Sequence, residues 1–136
     1  MSNELEQALF AKLTAATALT SLLAGTAAVY NQQAPRGSDY DFVIFQYQGG
    51  GDENKSPHRA QNVLYAVKGV SNTSLKTAGL IDAQIDAVLH MQELSVSGWA
   101  TNHWLAREDN IRFVETTPEG DDYYHAGGVY RVRIAQ

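Results

Sequence analysis

Four consecutive apolar residues, Phe42-Val43-Ile44-Phe45, constrain the fold more than any other part of this 136-residue sequence. A run this short and this apolar is a strand buried on both faces, because a half-buried strand alternates and a helix carries a longer period. Val63-Leu64-Tyr65-Ala66-Val67 repeats the signal. In the last third, Trp104-Leu105-Ala106-Arg107 and Ile111-Arg112-Phe113-Val114-Glu115 read as strand interrupted at Glu108-Asp109-Asn110 by a bulge or turn. The C-terminal run alternates, with Tyr130, Val132 and Ile134 on one face, as a half-buried antiparallel strand does. Val29-Tyr30 is a short further candidate.

Helical patterns appear in three places. Leu5, Leu9 and Leu13 recur every four residues, with Asn3 as N-cap, Glu6 at the capping-box spacing, and Glu4 and Glu6 at the positive end of the helix dipole. Thr17 reads as the N-cap of a second, short helix through Leu19, Leu22 and Leu23, with Gly25 as its C′ residue. The strongest helix spans residues 74–92, behind the cap cluster Ser71-Asn72-Thr73-Ser74. It places Ile81, Ile85, Val88 and Leu89 on one face, expected to pack on Val43, Phe45, Leu64 and Ile134. Gly79 inside it costs about 1 kcal/mol relative to Ala, so it marks either a close approach to another backbone or a tolerated defect. The order is α-α-β-β-β-α-β-β. Grouped strands with segregated helices predict an α+β fold: an antiparallel sheet of four to five strands with helices packed on one face, in a single domain over residues 1–136.

Residues 48–61 interrupt the pattern with Gly49-Gly50-Gly51, then Asp52-Glu53-Asn54-Lys55, then Pro57. They predict a long flexible loop at the tip of a hairpin, ordered chiefly by neighbours. The glycine triplet lacks the Gly-Lys-Ser/Thr ending of a phosphate loop, and no helix follows it.

Other chemistry is sparse. The chain has no Cys, which removes disulfides, thiolate metal sites and cysteine nucleophiles. His58, His90, His103 and His125 show no helical ligand spacing, so no metal is expected. Six of the fifteen acids, Glu108, Asp109, Glu115, Glu119, Asp121 and Asp122, gather near the C-terminus, mostly in turns, and read as a solvated rim rather than a catalytic pair. Asp39 and Asp41 lack the rest of a calcium-loop pattern, and the serines sit in cap and turn contexts without a nucleophile elbow. The net charge of −5 and a pI near 5.2 argue against wrapping nucleic acid. The stretch from Ala15 to Tyr30 is too short and too hydroxylated to span a bilayer, and the N-terminus has no basic residue before its first apolar segment, so neither a membrane anchor nor a secretory signal is expected.

Several local patterns resemble the small tail-terminator, or tail-completion, proteins of long-tailed bacteriophages. The paired Leu-rich helices closing on Leu22-Leu23-Ala24-Gly25, followed by Ala28-Val29-Tyr30-Asn31, are similar to that family's opening. So is the Phe42–Phe45 strand arriving after a Pro-containing loop. The segment Tyr124-His125-Ala126-Gly127-Gly128-Val129-Tyr130-Arg131-Val132 looks like the family's last hairpin. The resemblance implies a virion protein of the tail-neck region, assembled in the host cytoplasm, without catalysis or cofactor. It implies a hexameric ring that caps the tail tube protein and offers a surface to the head-completion, or stopper, protein, while genomic DNA passes through without specific binding. On that reading Gly49, Gly50, Gly51, Asp52, Glu53, Asn54 and Lys55 in the loop contribute to assembly contacts. Arg107, Arg112, Arg131 and Arg133 do so by pairing with acids, and Asp121 and Asp122 face the DNA channel. The alternatives are another head–tail connector or minor tail component, or a small α+β ligand-binding domain or enzyme.

Overall fold

The computed structural model describes residues 3–100 and 104–136. His103 lies outside the described residues. The elements are α1 (Asn3–Thr14), α2 (Thr17–Thr20), β1 (Val29–Asn31), β2 (Phe42–Asp52), β3 (Ala60–Ser71), α3 (Leu75–Leu89), β4 (Trp104–Thr116) and β5 (Asp122–Ala135). The order is the expected one, and the fold is α+β. The sheet runs β1-β2-β3-β5-β4. It is mixed rather than wholly antiparallel, because β1 pairs parallel to β2, with Tyr30 opposite Ile44. The other three pairings are antiparallel. β4 lies at the edge, thirteen residues long, with a register shift between Arg107 and Asp109 that confirms a bulge there.

One sheet face carries the helices. Val43, Phe45, Val63, Tyr65, Val67, Tyr130, Val132 and Ile134 form one buried cluster with Leu5, Leu9 and Leu13 of α1, Leu19 of α2, and Ile81, Ile85 and Leu89 of α3. The period of two places Leu64 on the opposite face, half-buried, so Val63, Tyr65 and Val67 take the place expected of it. Val88 is half-buried at the rim of the same cluster. Ser74 caps α3 as expected, its hydroxyl accepting from the Thr77 N–H at 3.1 Å. α3 ends at Leu89, three residues before the expected limit. Tyr65, fully buried, donates its hydroxyl to Glu6 at 3.0 Å, and Asn31 donates to the other Glu6 oxygen at 3.0 Å. Both oxygens of the expected capping-box residue are therefore engaged across the fold, tying α1 to the sheet.

Three local expectations are corrected. Ala16, not Thr17, occupies the N-cap of α2, without a side-chain cap hydrogen bond. α2 ends at Thr20, well before Gly25, which does not adopt positive φ. The glycine triplet belongs to β2 rather than to a loop. Gly49, Gly50 and Gly51 pair with Leu64, Val63 and Asn62, after a bulge at Gln48. A glycine keeps its backbone donor and acceptor, so a partner strand orders it without side-chain help. Gly50 takes φ +104 hard against the backbone of Asn62 and Val63, a conformation open to glycine. The connecting turn shrinks to residues 53–59, closed by the Lys55–His58 bridge.

The close backbone approach under α3 occurs at Gly69 in β3, not at Gly79. A Cβ on Gly69 would stand 2.5 Å from Ile81 Cγ2. Over Gly79 lies only the Arg112 guanidinium, 3.4 Å from a Cβ there. Gly69→Ala is expected to destabilise by about 1–3 kcal/mol through overpacking, and Ile85→Ala by about 2–5 kcal/mol through the cavity it leaves. Gly51→Ala, in open space at ordinary φ, should stay within about 0.5 kcal/mol. Urea unfolding checks all three.

Candidate functional site

The sheet face away from the helices divides into two parts. Beside β1, the loop of residues 32–41 folds over Phe42, Ile44 and Val70, with Ala34 and Tyr40 packed against them. The Tyr40 ring stacks on Tyr123 at 5.0 Å and lies 4.7 Å from Phe42. Burial, then the neighbouring Tyr123, pushes the Tyr40 hydroxyl pKa up.

Toward β4 stands a polar column. Phe113 stacks on the His125 ring at 4.3 Å, and Lys68 Nζ sits 5.2 Å from the Phe113 centroid. His125 Nε2 lies 3.1 Å from Glu115 Oε1. Burial, and next the Lys68 charge, holds the His125 imidazole below its ordinary pKa, against the pull of Glu115. Burial likewise lowers Lys68. A neutral imidazole facing a carboxylate donates from Nε2, so Nδ1 is left as an acceptor, and it is buried without a partner among the described residues.

The four arginines singled out by the sequence do not form one surface. Arg107 rises on the helix side, where its guanidinium binds both Asp82 oxygens at 2.7 and 3.1 Å and the Gly127 carbonyl at 2.7 Å. Its Nε donates to Asn110 at 2.9 Å. A Cβ at Gly128 would stand 2.6 Å from Arg107 Nε, so the glycine clears the guanidinium's path. The Asp82 hydrogen bonds raise the Arg107 pKa further above its already high value. Arg131 pairs with Glu108 at 2.7 Å and donates to Asn62 at 2.6 Å. Arg133 pairs with Glu53 at 3.1 Å. Arg112 has no ion pair among the described residues.

The two hairpin tips differ in charge. The β2–β3 tip forms a cleft of about 380 Å³ lined by Glu53, Lys55, His58, Arg59, Gln61 and Arg133, with Ala60, Ile134 and Ala135. Asp52 ends β2 close by. Asn54 Oδ1 accepts from the Ala60 N–H at 3.0 Å, which holds the tip together. The β4–β5 turn carries Glu119, Asp121 and Asp122, all exposed. Phe113 and Val114 just before it are 44% and 47% exposed. Among the described residues no group of three or more His, Asp or Glu stands together in a way that could hold a metal. No helix is long and apolar enough to cross a membrane.

Sequence reasoning missed the Asp82 and Tyr130 partners of Arg107, the His125 column, and the basic character of the β2–β3 tip. Asp82 had a signal, an acid on the flank of an apolar helix stripe. The others depend on strand register.

The His125 environment gives stability a pH dependence of known sign. The folded state resists protonation more than the unfolded chain, whose His titrates near 6.5. Below that value the unfolded state binds more protons, so stability falls as pH drops through about 6.5 toward the lowered folded-state value. The Tm of the wild type minus that of His125→Gln should therefore decrease from pH 7.5 to pH 5. A flat difference would place His125 in a solvent-like environment.

The arrangement thus offers interaction surfaces. A comparison with curated protein sequences returns no match. Among solved structures, a chain of the "Virion of native gene transfer agent (GTA) particle" is similar, with a TM-score of 0.76 at 17% identity, covering 97% of this chain and 95% of that one. That likeness shows the fold. Residues 7–135 match the family model described as Tail completion protein gp17, and the chain belongs to that family of bacteriophage structural proteins.

Proposed function

We propose that the chain is a tail terminator: six copies form a ring at the head-proximal end of the tail, in the neck of the virion, after assembly in the host cytoplasm. The ring ends polymerisation of the tail tube protein and presents a surface to the head-completion (stopper) protein, and it works without catalysis or cofactor. The single observation that carries this reading is the family match over residues 7–135. The structure is compatible with it in two ways. The sheet projects two exposed hairpin tips of opposite charge, and exposed Phe113 and Val114 offer apolar area that a neighbour can cover.

Charge supports the channel reading. Six copies at −5 each carry −30, and an acidic lumen lets the DNA polyanion pass without adhering. Of the two acids expected there, Asp122 is exposed and suited to such a lining. Close packing of acidic subunits needs cations at the contacts. Arg107, Arg131 and Arg133 already have partners within the chain, so Arg112 and the β2–β3 tip are the better placed of the predicted contact residues.

Electron microscopy of particles made without this protein tests the function. Tails of uncontrolled length, or normal tails that fail to join heads, are expected. Particles of wild-type tail length that join heads normally would remove the terminator reading. Tails of wild-type length that stay headless would favour a connector role instead.

A further inference from the structure

We propose that the basic cleft at the β2–β3 tip receives the acidic β4–β5 turn of a second copy of this chain, with Lys55 and Arg59 of one copy meeting Glu119 and Asp121 of the next. The inference rests on the ring reading above and names the contact that closes it.

Both halves are built and unpartnered. At the cleft Lys55, Arg59 and Arg133 face Glu53, with exposed Asp52 beside it, an excess of 3 − 2 = +1 in a chain whose net charge is −5. Glu53 is held by Arg133 at 3.1 Å and by Asn62 Nδ2 at 2.8 Å. Lys55 and Arg59 are exposed and have no ion pair among the described residues. Gln61, in the cleft wall, is only 9% exposed, and its Oε1 is buried with no hydrogen-bond partner among the described residues.

The turn is the complement. It is already closed by the Thr117 N–H on the Asp121 carbonyl at 2.8 Å, the Gly120 N–H on the Thr117 carbonyl at 2.9 Å, and the Asp121 N–H on Thr117 Oγ1 at 3.1 Å. Asp122 accepts from the Thr116 hydroxyl at 2.7 Å, while the Glu119 and Asp121 carboxylates have no side-chain partner among the described residues. A segment that is ordered before docking loses less conformational freedom on binding.

Position makes the contact intermolecular. β5 begins at the acidic turn and ends beside the cleft, fourteen residues away, which is about 45 Å at the rise of a strand. The two tips of one copy therefore cannot meet. Two different patches joined between copies make a head-to-tail contact, the type that closes into rings. A duplex phosphate backbone is the other polyanion the cleft could take. The turn is favoured because it is preordered and carried by the same chain.

Charge reversal tests this with full-length protein. Lys55→Glu/Arg59→Glu makes both tips acidic, and Glu119→Lys/Asp121→Lys makes both basic. Each variant alone should assemble at concentrations raised by about tenfold or more, with Tm unchanged. Mixed one to one, they should form rings again, because every contact in an alternating ring is then of opposite charge; native mass spectrometry should show equal numbers of the two. Failure of the mixture to recover, or normal assembly of either variant alone, overturns the proposed contact while leaving the ring intact. A wild type that stays monomeric both in solution and on tail tubes would overturn the ring reading itself. Salt-sensitive binding of a duplex oligonucleotide that Lys55→Glu/Arg59→Glu abolishes, with ring formation unchanged, would assign the cleft to phosphate instead. Because the chain has no Cys, Arg59→Cys/Glu119→Cys gives a second readout. An Arg–Glu pair holds its Cβ atoms farther apart than a disulfide allows, so a bis-maleimide spanning about 10 Å is the linker used; linked multimers on denaturing gels are expected, and no linkage in assembled rings overturns the contact.

Discussion

The seating of α3 on the sheet governs the rest of the structure, and it depends on two missing side chains. Gly69 lets Ile81 reach the backbone of β3, and Gly128 lets the Arg107 guanidinium lie across β5. The first contact is apolar. The second is a charge-assisted clasp to Asp82, with both partners 17% exposed, shielded enough to be strong yet wet enough not to need full desolvation compensation. Together they fix the helix in translation and rotation. β3, β5 and β4 are then held to one platform, and α1 joins through Tyr65 and Glu6.

That platform divides the sheet's two faces by chemistry. Under the helices the sheet is aliphatic and aromatic, with the partly exposed Arg107–Asp82 clasp toward β4. The far side mixes stacked rings with His125, Glu115, Arg131 and Glu108, whose partners are side chains on neighbouring strands, and with Lys68, which reaches across β5 to Phe113. A surface of this kind keeps its shape through cross-strand pairs rather than through a second covering layer.

Much of this was legible in the sequence. The element order, the apolar stripe of α3, the Ser74 cap, the bulge near Asp109 and the alternation of β5 all follow from local period and cap chemistry. What escaped was non-local. The glycine triplet reads as loop by composition, and only the register opposite Leu64, Val63 and Asn62 makes it strand. Leu64 lies on the far face because the strand's phase is set by its partners, not by its own five apolar residues. The arginines looked like one group because they share two strands, yet the period of two and the bulge send Arg107 to the helices and Arg131 to the opposite side. The basic cleft is a property of the hairpin's end, where Arg133 arrives from another strand.

The start of β4 is covered, the Met91 N–H donating to the Leu105 carbonyl at 2.7 Å and the Arg107 N–H to His90 Nδ1 at 3.1 Å, but beyond Arg107 the strand leaves one side of the sheet open. Such an edge invites another strand to add to it, and repeated addition builds fibres. Here the edge is kinked by its bulge and carries Glu108, Asp109, Arg112 and Glu115 along its length. Those features discourage backbone-to-backbone growth, so copies of this chain are steered toward contacts between side chains, which are geometrically specific and finite in number. A subunit that resists endless self-addition is well suited to a family whose members complete a structure rather than extend it.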